Sequence, residues 1–272
     1  MSAAASRARI RVLLEKELRE LLASPMLAGT MALMPLVFGS IAIGTAWTVG
    51  RVRETTQPDP DDLREMQRLL GERIAQFTDV RDALALYLGE MGLLLLLMLP
   101  AILPPILASQ TLVREKQARS LETLLVTPVR TWEIVVAKMV FCAGLGVGPF
   151  YAIAAAYYAL LVARCPAPAL AVLAGPGWLL TVLAAAPLIA LLGVGIGIAV
   201  SSRAKDVQAA QQLSGMIVLP VVGLLVLQSV GLASLDGIGA LFFVGALLVL
   251  DTVVLALAIA LFERETVVTR WS

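Results

Sequence analysis

The chain has 272 residues, 59% of them hydrophobic and 15% charged, with a mean hydropathy of +0.89, which excludes a water-soluble domain of this length and places it in a bilayer. Net charge is only +1, so the informative quantity is where Lys and Arg fall relative to each apolar run. Histidine is absent, which removes the commonest metal ligand and general base; no metal and no catalytic residue are expected.

Residues 1–24 read as an interfacial helix: Ile10, Leu13, Leu14, Leu18, Leu21 and Leu22 share one side, and Arg11, Glu15, Lys16, Arg19 and Glu20 the other. The h-region of a signal peptide is missing, and the acids Glu15, Glu17 and Glu20 argue against one. Ser24-Pro25 leads into an uncharged run, 25–50, the first predicted span. From 51 to 90 the chain is polar, opening on the turn former Gln57-Pro58-Asp59-Pro60. Leu63, Met66, Leu70, Phe77, Val80, Leu84 and Tyr87 then recur at helical spacing, predicting a helix from about Asp61 into the second span and a helical cap on the extracytoplasmic side.

The second span, 91–113, contains Pro100, Pro104 and Pro105, which bend a helix and free backbone carbonyls, so a kink beside a pathway is expected at Pro104. The third span is 139–163, an outer loop rich in proline occupies 164–177, and the fourth span is 178–202. Gly144-x-x-x-Gly148 and Gly193-x-x-x-Gly197 lie in these two spans, where small residues four apart let helix backbones approach closely. Their partial likeness to a dinucleotide fingerprint is spurious, because no strand precedes them. Cys142 and Cys165 near opposite ends of the third span would stand about 34 Å apart, beyond disulfide reach.

An inner loop at 203–208 carries Arg203, Lys205 and Asp206, and the fifth span follows at 209–232. Gln208, Gln211, Gln212 and Ser214 form a polar stripe at its start, suited to protein or water rather than lipid. Asp236-Gly237 marks an outer turn at 233–237. The sixth span, 238–262, is interrupted by Asp251, and 263–272 is a cytoplasmic tail. A carboxylate at helix centre costs about 2.5 to 3.5 kcal/mol. Three readings of Asp251 stand open: a hydrogen-bonded structural acid, a pathway residue attracting a cation or polar solute, and a proton carrier.

With both ends inside, Lys and Arg divide fourteen inside to seven outside, in keeping with positive-inside bias. The fold class is therefore an all-α integral membrane protein of six transmembrane helices.

The segment 114–138 concentrates Arg114, Glu115, Lys116, Arg119, Glu122, Arg130, Glu133 and Lys138. Ser120 can cap a short helix with Glu122 in its first turn, and Leu121, Leu124 and Leu125 fall on one face. Thr127-Pro128 ends it, and Thr131 can cap a second helix with Glu133 in its first turn. A pair of amphipathic helices meeting at a proline corner is the expectation, with a plain solvated loop as the alternative.

The wording from Arg114 to Lys138, notably Ser120-Leu121-Glu122-Thr123-Leu124-Leu125 and Thr127-Pro128-Val129, closely resembles the loop after the second span in ABC-2 type transporter permeases. The interfacial helix before the first span is similar to the family's connecting helix. The resemblance implies a membrane subunit of an ABC exporter in a cell membrane of bacterial cytoplasmic type, with both termini inside. It implies that Arg114, Glu115, Arg119, Leu121, Glu122, Leu124, Leu125, Thr127, Pro128 and Glu133 dock a cytoplasmic ATP-binding subunit, in two copies, and that a second permease copy or homologue completes the pathway. ATP and Mg then belong to that partner, since no Gly-x-x-x-x-Gly-Lys-Ser/Thr sequence occurs here. The pathway candidates are Asp251, Gln208, Gln211, Gln212 and Pro104. No nucleic-acid partner is expected. Two other functions are weighed beside export: a mechanotransmitting module acting on an extracytoplasmic partner through 51–90, and an ion-coupled carrier using Asp251.

Overall fold

The computed structural model describes residues 3–55, 77–117, 131–203 and 237–269, with isolated positions at 61, 64, 209, 212, 213, 215, 216, 219, 223 and 227. For 3–8, 10, 26–27, 30, 53–55, 114–117, 131–132, 202–203, 259 and 261–269 it describes the backbone alone. Among these residues all regular structure is helical: α1 (Ala3–Ala23), α2 (Pro25–Thr55), α3 (Val80–Gln117), α4 (Thr131–Arg164), α5 (Ala167–Leu173), α6 (Pro176–Leu180), a π-helical turn (Thr181–Ala185), α7 (Ala186–Arg203) and α8 (Ile238–Thr269).

Among the described residues, five stretches are long and apolar enough to cross a membrane: Met31–Val52, Val80–Val113, Glu133–Arg164, Pro176–Ser201 and Ile238–Ala258. They fall on the first four expected spans and the sixth; the expected fifth, 209–232, lies outside the described residues but for a few positions.

The centre of the bundle is α3, packed against α2, α4, α5 and α7, with its leucines at 93, 94, 96, 97, 99, 103 and 107 essentially without exposure. Its 38 residues extend about 57 Å at 1.5 Å each. That exceeds the roughly 30 Å of hydrocarbon, so α3 projects beyond the bilayer. The helix starts at Val80, so the continuous helix expected from about Asp61 into the second span is interrupted at 77–79. Asp79 causes the new start: its Oδ1 accepts the Arg81 backbone N–H at 2.9 Å, as an N-cap does. Phe77 just before it is buried in the core.

The two adjacent prolines of α3 act as a wedge. Pro104 packs on Gly146 of α4, and Pro105 on Gly193 of α7, where an added Cβ would stand 2.8 Å from Pro105 Cδ. A Cβ at Gly197 would meet Ala108 Cβ and the Pro105 carbonyl, both at 3.0 Å. On α7 the close approach thus falls at Gly193 and Gly197. On α4, among the described residues, a Cβ at Gly144 or Gly148 would meet nothing within 4 Å, and the close approach to α3 is at Gly146. At 100° per residue, Gly146 points to nearly the opposite side of the helix from Gly144 and Gly148.

Pro187 explains the irregular start of the fourth span. It has no N–H to give the Leu183 carbonyl, the turn before it widens to a π-helix, and the Tyr151 hydroxyl of α4 donates to that carbonyl at 2.7 Å.

At the end of the bundle away from α1, the expected outer loop folds into α5, which begins with prolines at 166 and 168 where a missing N–H costs nothing. Leu173 of α5 rests on Gly89, the Tyr157 hydroxyl donates to the Gly89 carbonyl at 2.8 Å, and Tyr158 donates to the Leu173 carbonyl at 3.1 Å. The Arg164 guanidinium lies 3.6 Å from the ring centre of Trp47, a cation–π contact joining α4 to α2. Gly237, at φ +53, supplies the left-handed turn that starts α8.

Candidate functional site

The N-terminal helix is fastened to the cytoplasm-facing end predicted for α4 by two ion pairs. Arg9 Nη2 stands 2.8 Å from Glu133 Oε1, and Lys138 Nζ stands 2.7 Å from Glu17 Oε1. Glu133 has no exposure, Glu17 and Lys138 almost none. Leu21 of α1 completes the contact in a cluster with Val135, Met139 and Cys142. The sign alternates on each helix, cation then acid on α1 and acid then cation on α4, so one registry pairs unlike charges and a slip would oppose like ones. The exposed pairs Arg11 with Glu15 and Lys16 with Glu20, both 3.3 Å, add little by comparison.

This arrangement changes the reading of α1. The side turned to the protein is centred on Glu17, while Val12, Leu18 and Leu22 are exposed, so Leu18 and Leu22 do not face the bundle. An apolar stripe says that a face avoids water; it does not say whether lipid or protein covers it. Glu133, expected among the docking residues, is enclosed in this chain with its carboxylate on Arg9. Residues 131–138, expected in the coupling segment, are the first turns of the spanning helix α4.

The other docking residues Arg119, Leu121, Glu122, Leu124, Leu125, Thr127 and Pro128 lie outside the described residues, and Arg114 and Glu115 are described in backbone only, on the last turn of α3. Gln208 and Gln211 also lie outside them; Gln212 is exposed. Pro104 is buried against Gly146 between α3 and α4.

Asp251 sits on the packed seam of α8. Leu247, Asp251, Val254 and Ala258 follow at i, i+4, i+7 and i+11; Leu247 and Ala258 are buried, and Val254 fills the space left by Gly195 of α7. Phe242, Val249, Val253 and Leu257 are exposed on the outer side. Asp251 is half-buried, with Oδ2 enclosed and without a hydrogen-bond partner among the described residues.

Sequence reasoning missed Arg9, Glu17 and Lys138. A signal existed: Glu17 interrupts the stripe Leu14, Glu17, Leu21, and Lys138 interrupts Val135, Lys138, Cys142, with opposite sign. Two apolar stripes each broken by one charge of opposite sign invite pairing.

Several long apolar helices packed on a central post define a multi-pass membrane protein. A family model described as ABC-2 family transporter protein matches residues 11–238, and the chain belongs to that family. No curated protein matches it. Such a permease is not itself the ATPase and works with an ABC ATP-binding partner. The match runs from α1 to the first residue of α8, so Asp251 lies beyond it.

Proposed function

We propose that this chain is the permease subunit of an ATP-driven exporter, working as a pair of permeases with two cytoplasmic ATP-binding subunits that grip the segment after α3. The observation that carries the reading is the mechanical continuity of α4. One helix runs from Thr131 to Arg164 without a break, and its first turns hold α1 through Arg9–Glu133 and Glu17–Lys138. A displacement applied to residues 114–130 has nowhere to dissipate between the segment and the membrane: it enters α4 directly, and α1 with it. Both termini are then cytoplasmic, as the Lys and Arg distribution supports.

The test is co-purification of the tagged permease with its cognate ATP-binding subunit. Arg119→Glu combined with Glu122→Lys abolishes recovery of the subunit if the segment docks it, while a control reversal at Arg81, on the far end of α3, leaves recovery unchanged. Undiminished association of the double variant removes the assignment.

A further inference from the structure

We propose that Asp251 is the recognition charge of a binding site for a lipophilic organic monocation, a single positive centre on an apolar body. That such a cation is cargo rests on the permease function proposed above; that it binds at Asp251 does not. Asp251 takes a position in the α8 stripe that its neighbours Leu247, Val254 and Ala258 fill with apolar packing, so it is turned toward α7 and not toward lipid. Its enclosed Oδ2 has no hydrogen-bond partner among the described residues, and no described side chain of α7 or α8 is a Lys or Arg. A mid-span carboxylate with no partner among the described residues has room for a counter-charge from outside the chain.

The surroundings decide the chemistry of that partner. Calcium takes six to eight oxygen ligands, and magnesium keeps its waters unless several oxygens replace them. Among the described residues no group of three or more His, Cys, Asp or Glu side chains is placed to hold a metal. One carboxylate on a stripe otherwise made of Leu247, Val254 and Ala258 cannot replace the hydration shell of a small inorganic cation. It can neutralise a bulky organic cation, whose charge is spread and weakly hydrated and whose body gains from apolar contact. A hydrogen-bonded structural acid is disfavoured by the orphaned Oδ2.

The test is equilibrium dialysis of radiolabelled tetraphenylphosphonium against the purified full chain in nanodiscs of zwitterionic lipid, with no ATP-binding subunit present. Saturable binding is expected, displaced by tetraphenylarsonium but not by neutral triphenylphosphine oxide or by sodium or calcium chloride. Asp251→Asn should weaken binding at least tenfold and Asp251→Glu by less than threefold, with circular dichroism and elution volume matching the parent. Equal binding by the parent and Asp251→Asn, displacement by the neutral analogue, or no saturable binding to the parent each overturns the proposal. The displacement series on the parent decides the matter even if Asp251→Asn fails to fold. None of these outcomes bears on recovery of the ATP-binding subunit, so this site and the permease function fail separately.

Discussion

Lys138 Nζ of α4 lies 2.7 Å from Glu17 Oε1 of α1, and both side chains are almost entirely shielded from solvent. Glu17 Oε2 has no hydrogen-bond partner among the described residues, so Lys138 carries much of the neutralisation. Removing one member of a buried pair strands the other and costs about 3–5 kcal/mol, whereas replacing both by apolar residues of similar volume is often nearly neutral. Lys138→Met and Glu17→Met should therefore each lower the thermal unfolding temperature of the purified chain sharply. The double Met variant should recover most of the loss. If the double variant is as unstable as the sum of the singles, the two side chains do not act as a pair.

Tyr151 and Pro187 form a second coupled set, separated in sequence and joined at the Leu183 carbonyl. Tyr151→Phe leaves that carbonyl without its donor, at about 1–2 kcal/mol for an interhelical hydrogen bond in a membrane protein. Pro187→Ala restores an N–H able to close the helical ladder on the same carbonyl. The expected result is a double-mutant cycle in which Tyr151→Phe costs clearly less in the Pro187→Ala background than in the parent. Additive losses would show that the hydroxyl does not substitute for the missing backbone donor.

The glycines of α4 and α7 divide by face. Gly193→Val forces a branched side chain into Pro105, and Gly146→Val into Pro104, each an overpacking expected to cost about 1–3 kcal/mol or more. Gly144→Ala and Gly148→Ala meet nothing within 4 Å among the described residues and should gain up to about 1 kcal/mol in helix propensity each. Thermal unfolding of the four variants should separate into these two groups; a mixed order would place the wedge elsewhere.

Hydropathy made the all-helical membrane class legible, with five apolar helices among the described residues, because long uncharged apolar runs have few alternatives. The helix ends were less so: Asp79 shifts the start of α3, and a capping acid inside a helical pattern reads the same as one on a helix surface. The glycine pattern does not by itself say which side packs: among the described residues Gly193 and Gly197 lie against Pro105, while on α4 the proline ring meets Gly146, between Gly144 and Gly148. Spacing records which residues share a side, and only the neighbour, here a proline ring, selects the side that matters. The same holds for the charged pairs: Glu133 looked like a surface acid until Arg9, far away in sequence, was found against it.

Cys165, in the turn between α4 and α5, offers a chemical test of that end of the bundle. Burial pushes its thiol up to about 11, and the Asp82 carboxylate adds to the shift by opposing a second negative charge. Because the thiolate is the reactive form, the sign is definite: at pH 8 the raised value cuts the thiolate fraction about a hundredfold relative to a thiol at 9. In a Cys142→Ala background, which removes the other cysteine, alkylation by iodoacetamide should be correspondingly slow at pH 8. Its rate should still be climbing at pH 10, where an ordinary thiol has levelled off. Asp82→Asn removes the lesser cause and should quicken the reaction at fixed pH without bringing it to the rate of free cysteine, since the burial remains. Rates followed by mass spectrometry across pH 7 to 11 check both statements. A curve that levels near pH 9 in the parent would mean that α5 does not cover this thiol, and with it that the contacts of Leu173 on Gly89 and of Tyr158 on Leu173 are not made.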